Sequence, residues 1–139
     1  MTKRFDISNM AICKFNLDNF EYNIESNMAA MGLPLPTTVF GSITTVSGAL
    51  AAIETALSAK ASDVPLSVVS VGRASKQLAG IGAAFWAGAV IGSALMASKR
   101  ATSCSRSEFK EAFQSLGFPS WAADDALNSH DGHKLLRKN

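Results

Sequence analysis

Hydrophobic and polar positions are unevenly spread along this chain. No charged residue stands between Glu25 and Glu54, and none between Lys76 and Lys99. From Ser26 to Ser98 the charges are Glu54, Lys60, Asp63, Arg73 and Lys76; all others sit in the two ends. The pattern divides the chain into a polar N-terminal arm (residues 1–36), an apolar middle (37–98) and a charged C-terminal segment (99–139). Two helices are predicted in the middle. In the first, from Thr37 to Lys60, Val39, Ile43, Val46, Leu50, Ile53 and Leu57 recur three or four positions apart. Such a seam suits packing on one partner helix. Gly32-Leu33-Pro34-Leu35-Pro36 precedes it and breaks any earlier helix. Thr37 or Thr38 is the expected N-cap.

The second predicted helix runs from Gln77 to Ser98, with Arg73 and Lys76 before it and Lys99 and Arg100 after it. As a helix it would extend roughly 33 Å at about 1.5 Å per residue, enough for a bilayer core. Gly80, Ala84, Gly88 and Gly92 recur at every fourth position and form a strip nearly free of side chain. That spacing lets another helix backbone approach closely. Each glycine lowers intrinsic helix stability by roughly 1 kcal/mol relative to alanine, so this helix needs a packed or a lipid environment. Between the two helices, Ala61–Gly72 contains Asp63 and Pro65. It reads as a short helix capped by Ser62 or Asp63, or as an extended run through Leu66, Val68, Val69 and Val71.

In the C-terminal segment Ser105 and Glu108 fit a capping box. Phe109, Phe113 and Leu116 mark one helix face, which Gly117 ends. A second short helix follows Phe118-Pro119-Ser120 through Trp121, Ala122, Ala123, Ala126 and Leu127, and stops at Asp131-Gly132. The hydrophobic residues of the N-terminal arm fit no single period; it reads as irregular, with room for a short strand or helix. The expected fold is all-α: a two-helix hydrophobic hairpin, a short C-terminal helical pair and an irregular N-terminal arm.

Composition narrows the function. Thirteen Lys and Arg against eleven Asp and Glu leave a net charge of +2 over 139 residues, too even for a nucleic-acid binder. Hydrophobic residues are 47% but aromatics only 8%, so alanine carries much of the apolar content. Charges at Lys3, Arg4, Asp6, Lys14 and Asp18 leave no room for the apolar core of a secretory signal, and any export would use another route. Without such a signal, Cys13 and Cys104 read as free buried thiols. His130 and His133 flank Asp131 in what reads as a solvated turn. No nucleotide loop, metal cluster or acid–base pair is spaced for catalysis. The expectation is therefore a non-enzyme, with no catalytic, cofactor-binding or metal-binding residue and no cofactor.

Two Ala/Gly-rich helices of near-membrane length resemble the hydrophobic hairpin of pore-forming bacterial toxins. The strip Gly80, Ala84, Gly88, Gly92 resembles the glycine-zipper segments of membrane-active proteins. This resemblance implies a small membrane-active protein, a pore-forming antibacterial toxin or effector secreted without a classical signal peptide and associated with a membrane. Its partners would be a lipid bilayer or other helices: further copies of itself, or a chaperone or immunity protein. The alternatives are a non-enzymatic helical subunit of a larger assembly and a simple two-span membrane protein. In the membrane reading Glu54 is a pH gate, because an ionised carboxyl is costly in hydrocarbon and its protonation eases insertion. Separately, LGFPSWAADDALNSHDG resembles the loop and second helix of ubiquitin-associated domains, a likeness that assigns no binding residue.

Overall fold

The computed structural model describes residues 21–41, 46–59, 63–69, 78–95, 104–129 and 132–136. Among the expectations above, those on Cys13, Ile43, Lys60, Arg73, Lys76, Lys99, Arg100 and His130 lie outside the described residues. The described chain is mostly helical and has no strand, so the all-α class holds. Its helices are α1 (Glu21–Ala30), α2 (Pro36–Phe40), α3 (Val46–Ser58), α4 (Leu66–Val69), α5 (Ala83–Leu95), α6 (Arg106–Ser115) and α7 (Ser120–Asn128), followed by a 3-10 turn (Gly132–Leu136).

Helix α5 is the centre of the fold. Ala83, Ala84, Trp86, Ala87, Ala89, Val90, Ile91 and Leu95 are all buried, and Phe85 is partly so. A helix that is apolar all round is buried, either inside a protein or in a membrane. Here protein does the burying: α1, α3, α4, α6, α7 and the 3-10 turn all pack on α5. Ser93, the buried polar residue on α5, donates its hydroxyl to the Ala89 carbonyl at 2.8 Å.

The long apolar helices expected from the sequence do not form. Gly80, Ile81 and Gly82 stand outside α5, which starts only at Ala83. Pro65 and Gly82 form an antiparallel bridge, in which Leu66 N donates to Ile81 O at 2.6 Å and Ala83 N to Val64 O at 2.7 Å. Gly82, which would weaken a helix, is thus spent on a non-helical pairing before it, and Gly80 lies in the turn that leads into that pairing. The first apolar segment is also split. Pro36 opens α2 after the extended Leu35, so Leu35, not Thr37 or Thr38, is its N-cap. Gly41 ends it at a φ of +69°, in the left-handed region. In α3 the predicted seam residues Leu50, Ile53 and Leu57 are buried, as is Val39 in α2.

No helix among the described residues is long and apolar enough to cross a membrane. This overturns the membrane-active, pore-forming toxin drawn from the hairpin resemblance, together with its transmembrane helices and the two-span membrane protein. Nothing in the structure supports a subunit of a larger assembly in their place.

Helix α1 lies within the stretch read as an irregular arm. Ile24 and Met28 bury against the core, and α1 packs on α5. Its end is a Schellman turn: Gly32 has a φ of +72°, Leu33 N donates to Met28 O at 2.9 Å, and Gly32 N to Ala29 O at 3.0 Å. The C-terminal pair follows its local signals. The Ser105–Glu108 capping box forms in both directions at the start of α6. Gly117, at a φ of +94°, closes α6 with Phe118 N donating to Phe113 O at 3.3 Å. Phe113 lies between Phe109 and Phe118, with ring centroids 5.1 and 5.0 Å away.

Candidate functional site

The candidate site is the start and the glycine face of α5, where the sequence places its strip of small residues and the structure adds an unexpected carboxylate. The four strip residues do not share one partner. Gly80 is exposed in the turn before α5, and a Cβ there would meet nothing within 4 Å. Ala84 is buried in the first turn. Gly88 faces α6, α7 and the 3-10 turn: a Cβ there would come within 2.9 Å of Ala126 Cβ and Leu135 Cδ1, and 3.2 Å of Phe109 Cζ. Gly92 faces backbone, with a Cβ there falling 2.6 Å from the Leu135 carbonyl oxygen. Two of the four thus seat the C-terminal turn against α5, one starts the helix, and one stands outside it.

Asp63 sits at the head of this face. Its Oδ1 accepts the Ala84 N–H at 2.7 Å, across 21 positions of sequence. This satisfies one of the amides that every helix leaves unpaired at its N-terminus. The carboxylate rests against Gly82, where any side chain would collide with it. Burial raises the Asp63 pKa above the ordinary aspartate value, and the charge of Asp125 on α7 adds to the rise; hydrogen bonds from Ala84 and Val64 backbone oppose it.

Two further anchors hold the same region. Trp86 Nε1 donates to the Pro34 carbonyl at 2.7 Å, tying the loop before α2 to α5. The Trp86 ring meets Phe40 edge-on, with centroids 6.0 Å apart. Cys104 is buried and disulfide-bonded, which corrects the expectation of free thiols. Its N–H donates to Leu136 O at 3.3 Å, so the bonded cysteine stands beside the 3-10 turn that covers Gly88 and Gly92.

Neither a family model, a curated protein nor a solved structure matches the chain. The site is therefore read from its own chemistry. No group of His, Cys, Asp or Glu among the described residues is arranged to hold a metal ion. Glu54 is half-exposed on α3. It accepts the Ser58 hydroxyl at 3.0 Å and lies over the Gly117 turn, its carbons 3.6 Å from where a Cβ on that glycine would be.

Sequence reasoning missed Asp63 because it looked for a cap next to the helix it caps. No local signal marked it, because a helix read from Gln77 onward gives Ala83 no end to cap.

Proposed function

We propose that this chain is a non-catalytic helical domain that works in an oxidising compartment, acting by binding through its folded surface. The observation that carries the reading is the disulfide at buried Cys104. Disulfides persist in oxidising surroundings and are rare where cellular thiols are kept reduced.

The non-catalytic part is supported by how the described polar groups are used. Asp63, Ser105 and Glu108 cap helices, Lys110 pairs with Asp124, and Ser93 bonds back to its own helix. Every buried side-chain nitrogen and oxygen described has a hydrogen-bond partner. These groups are spent on holding the fold. We further read α3 and α5 as the arms of a hairpin joined through α4, a reading supported by the packing of α3 on α5 and of α4 on both.

Thiol labelling tests the compartment. Protein taken from its producing cells under acid quench should accept no thiol-blocking group before reduction, and one on each cysteine after it. Free, fully labelled cysteines in the unreduced sample would overturn the reading.

A further inference from the structure

We propose that the disulfide at Cys104 is the latch of a C-terminal strap: with the bond intact the 3-10 turn Gly132–Leu136 stays seated on the glycine face of α5, and reduction lets it lift. The strap is short and its seat is specific. The Leu135 side chain lies over Gly88, and the Leu135 carbonyl over Gly92. Leu135 is buried, and Leu136 packs at the edge of the core. At the front of the turn Gly132 N donates to Ser129 O at 2.9 Å. At its back Leu136 O accepts the Cys104 N–H at 3.3 Å. The end of the turn is thus held between α5 and the backbone of residue 104.

The bond acts on that backbone. The chain has two cysteines, Cys13 and Cys104, and Cys104 is bonded, so the disulfide ties residue 104 to the N-terminal arm. Helix α6 does not depend on the bond for its place. Its start is fixed one residue later by the Ser105–Glu108 box, with Phe109 N donating to Ser105 O at 3.1 Å. Its body is fixed by the rings of Phe109, Phe113 and Phe118. Loss of the bond therefore frees residue 104 and leaves α6 where it is. The strap is then a single 3-10 turn, whose hydrogen bonds are poorer than those of an α-helix, seated through Leu135. Such an element opens at lower free energy than the core.

The reductant is a dithiol. One of its thiolates attacks a sulfur of the bond and forms a mixed disulfide. Its second thiolate then attacks that intermediate and closes the dithiol into its own disulfide. Two electrons pass to the cysteine sulfurs, and the two protons of the dithiol end on them as thiols. Lifting of the strap uncovers Gly92 and one side of Gly88.

The inference rests on the same bond as the compartment reading, and the two fail separately. The full-length protein is oxidised after purification and its bond confirmed by intact mass. Free thiols in cell-derived protein would strike the compartment reading and leave this test standing. Amide exchange is then followed by NMR with and without dithiothreitol. After reduction the Gly132 and Cys104 amides should exchange about tenfold faster or more, as in a local opening, while those of Ile53, Trp86 and Val90 keep their rates. Leu135→Ala with the bond intact should speed the same two amides, and reduction should then add little. Unchanged Gly132 and Cys104 rates, an equal rise at the α3 and α5 amides, or a full further rise on reducing Leu135→Ala would overturn the latch. If Leu135→Ala does not fold, the oxidised and reduced wild type decide alone.

Discussion

The C-terminal helical pair and the apolar middle of this chain are built on opposite logics. In α6 and α7 the deciding interactions are local. Ser105 and Glu108 cap each other's backbone, Gly117 takes the left-handed turn, and Phe109, Phe113 and Phe118 meet within a few residues of sequence. In the middle they are distant. The start of α5 is set by Asp63 and by the Val64–Leu66 backbone, and its glycine face is filled by Leu135 and Ala126. A cap motif states where a helix begins and which atoms begin it. A strip of small residues states only that something comes close; the partner can be a helix, a carbonyl or a lipid chain. The difference explains why one region could be read from its letters while the other suggested a membrane.

Breaking the local region at its aromatic centre should have the largest effect. Phe113→Ala removes a fully buried ring between two others and should cost about 4 kcal/mol, read as a fall in the urea midpoint. Breaking the distant region comes next. Gly92→Leu drives a side chain into the Leu135 carbonyl and should cost about 3 kcal/mol. Gly80→Ala, at the exposed end of the same strip, should stay within about 0.5 kcal/mol. Equal losses at Gly92 and Gly80 would show that the strip faces one continuous partner after all.

Two smaller changes sharpen the local side. Ser105→Ala removes the capping box and should cost about 1 kcal/mol, with helicity lost first at the start of α6. Lys110→Ala breaks an ion pair whose side chains are 37% and 46% exposed, and the midpoint should barely move.

The legible part of the fold follows from the same contrast. The all-α class, the seam residues Leu50, Ile53 and Leu57, and both ends of α6 were readable because each rests on spacing or on a cap within one turn. Helix α1 was not, because Ile24 and Met28 sit in a stretch whose other hydrophobic residues follow no helical period. The lengths of the apolar helices were misread for a physical reason. Gly80 and Gly82 suit a close-packed helix and a non-helical bridge equally well, and the choice is made by Val64 and Pro65 some way along the chain. At the candidate site, Gly88 and Gly92 were legible as points of close approach; Asp63 was not legible as the cap of a helix 21 positions away.

The central claim is that α5 begins at Ala83 and is buried by the rest of the chain. Amide hydrogen exchange on the full-length oxidised protein tests it most directly. Amides of the buried helix after its first turn, from Ala87 to Leu95, should exchange slowest of all. Those at Ala79 and Gly80, which precede the bridge, should exchange orders of magnitude faster, with a sharp boundary at the Pro65–Gly82 bridge. Uniform slow exchange from Gln77 through Ser98, the signature of one uninterrupted apolar helix, would contradict the account.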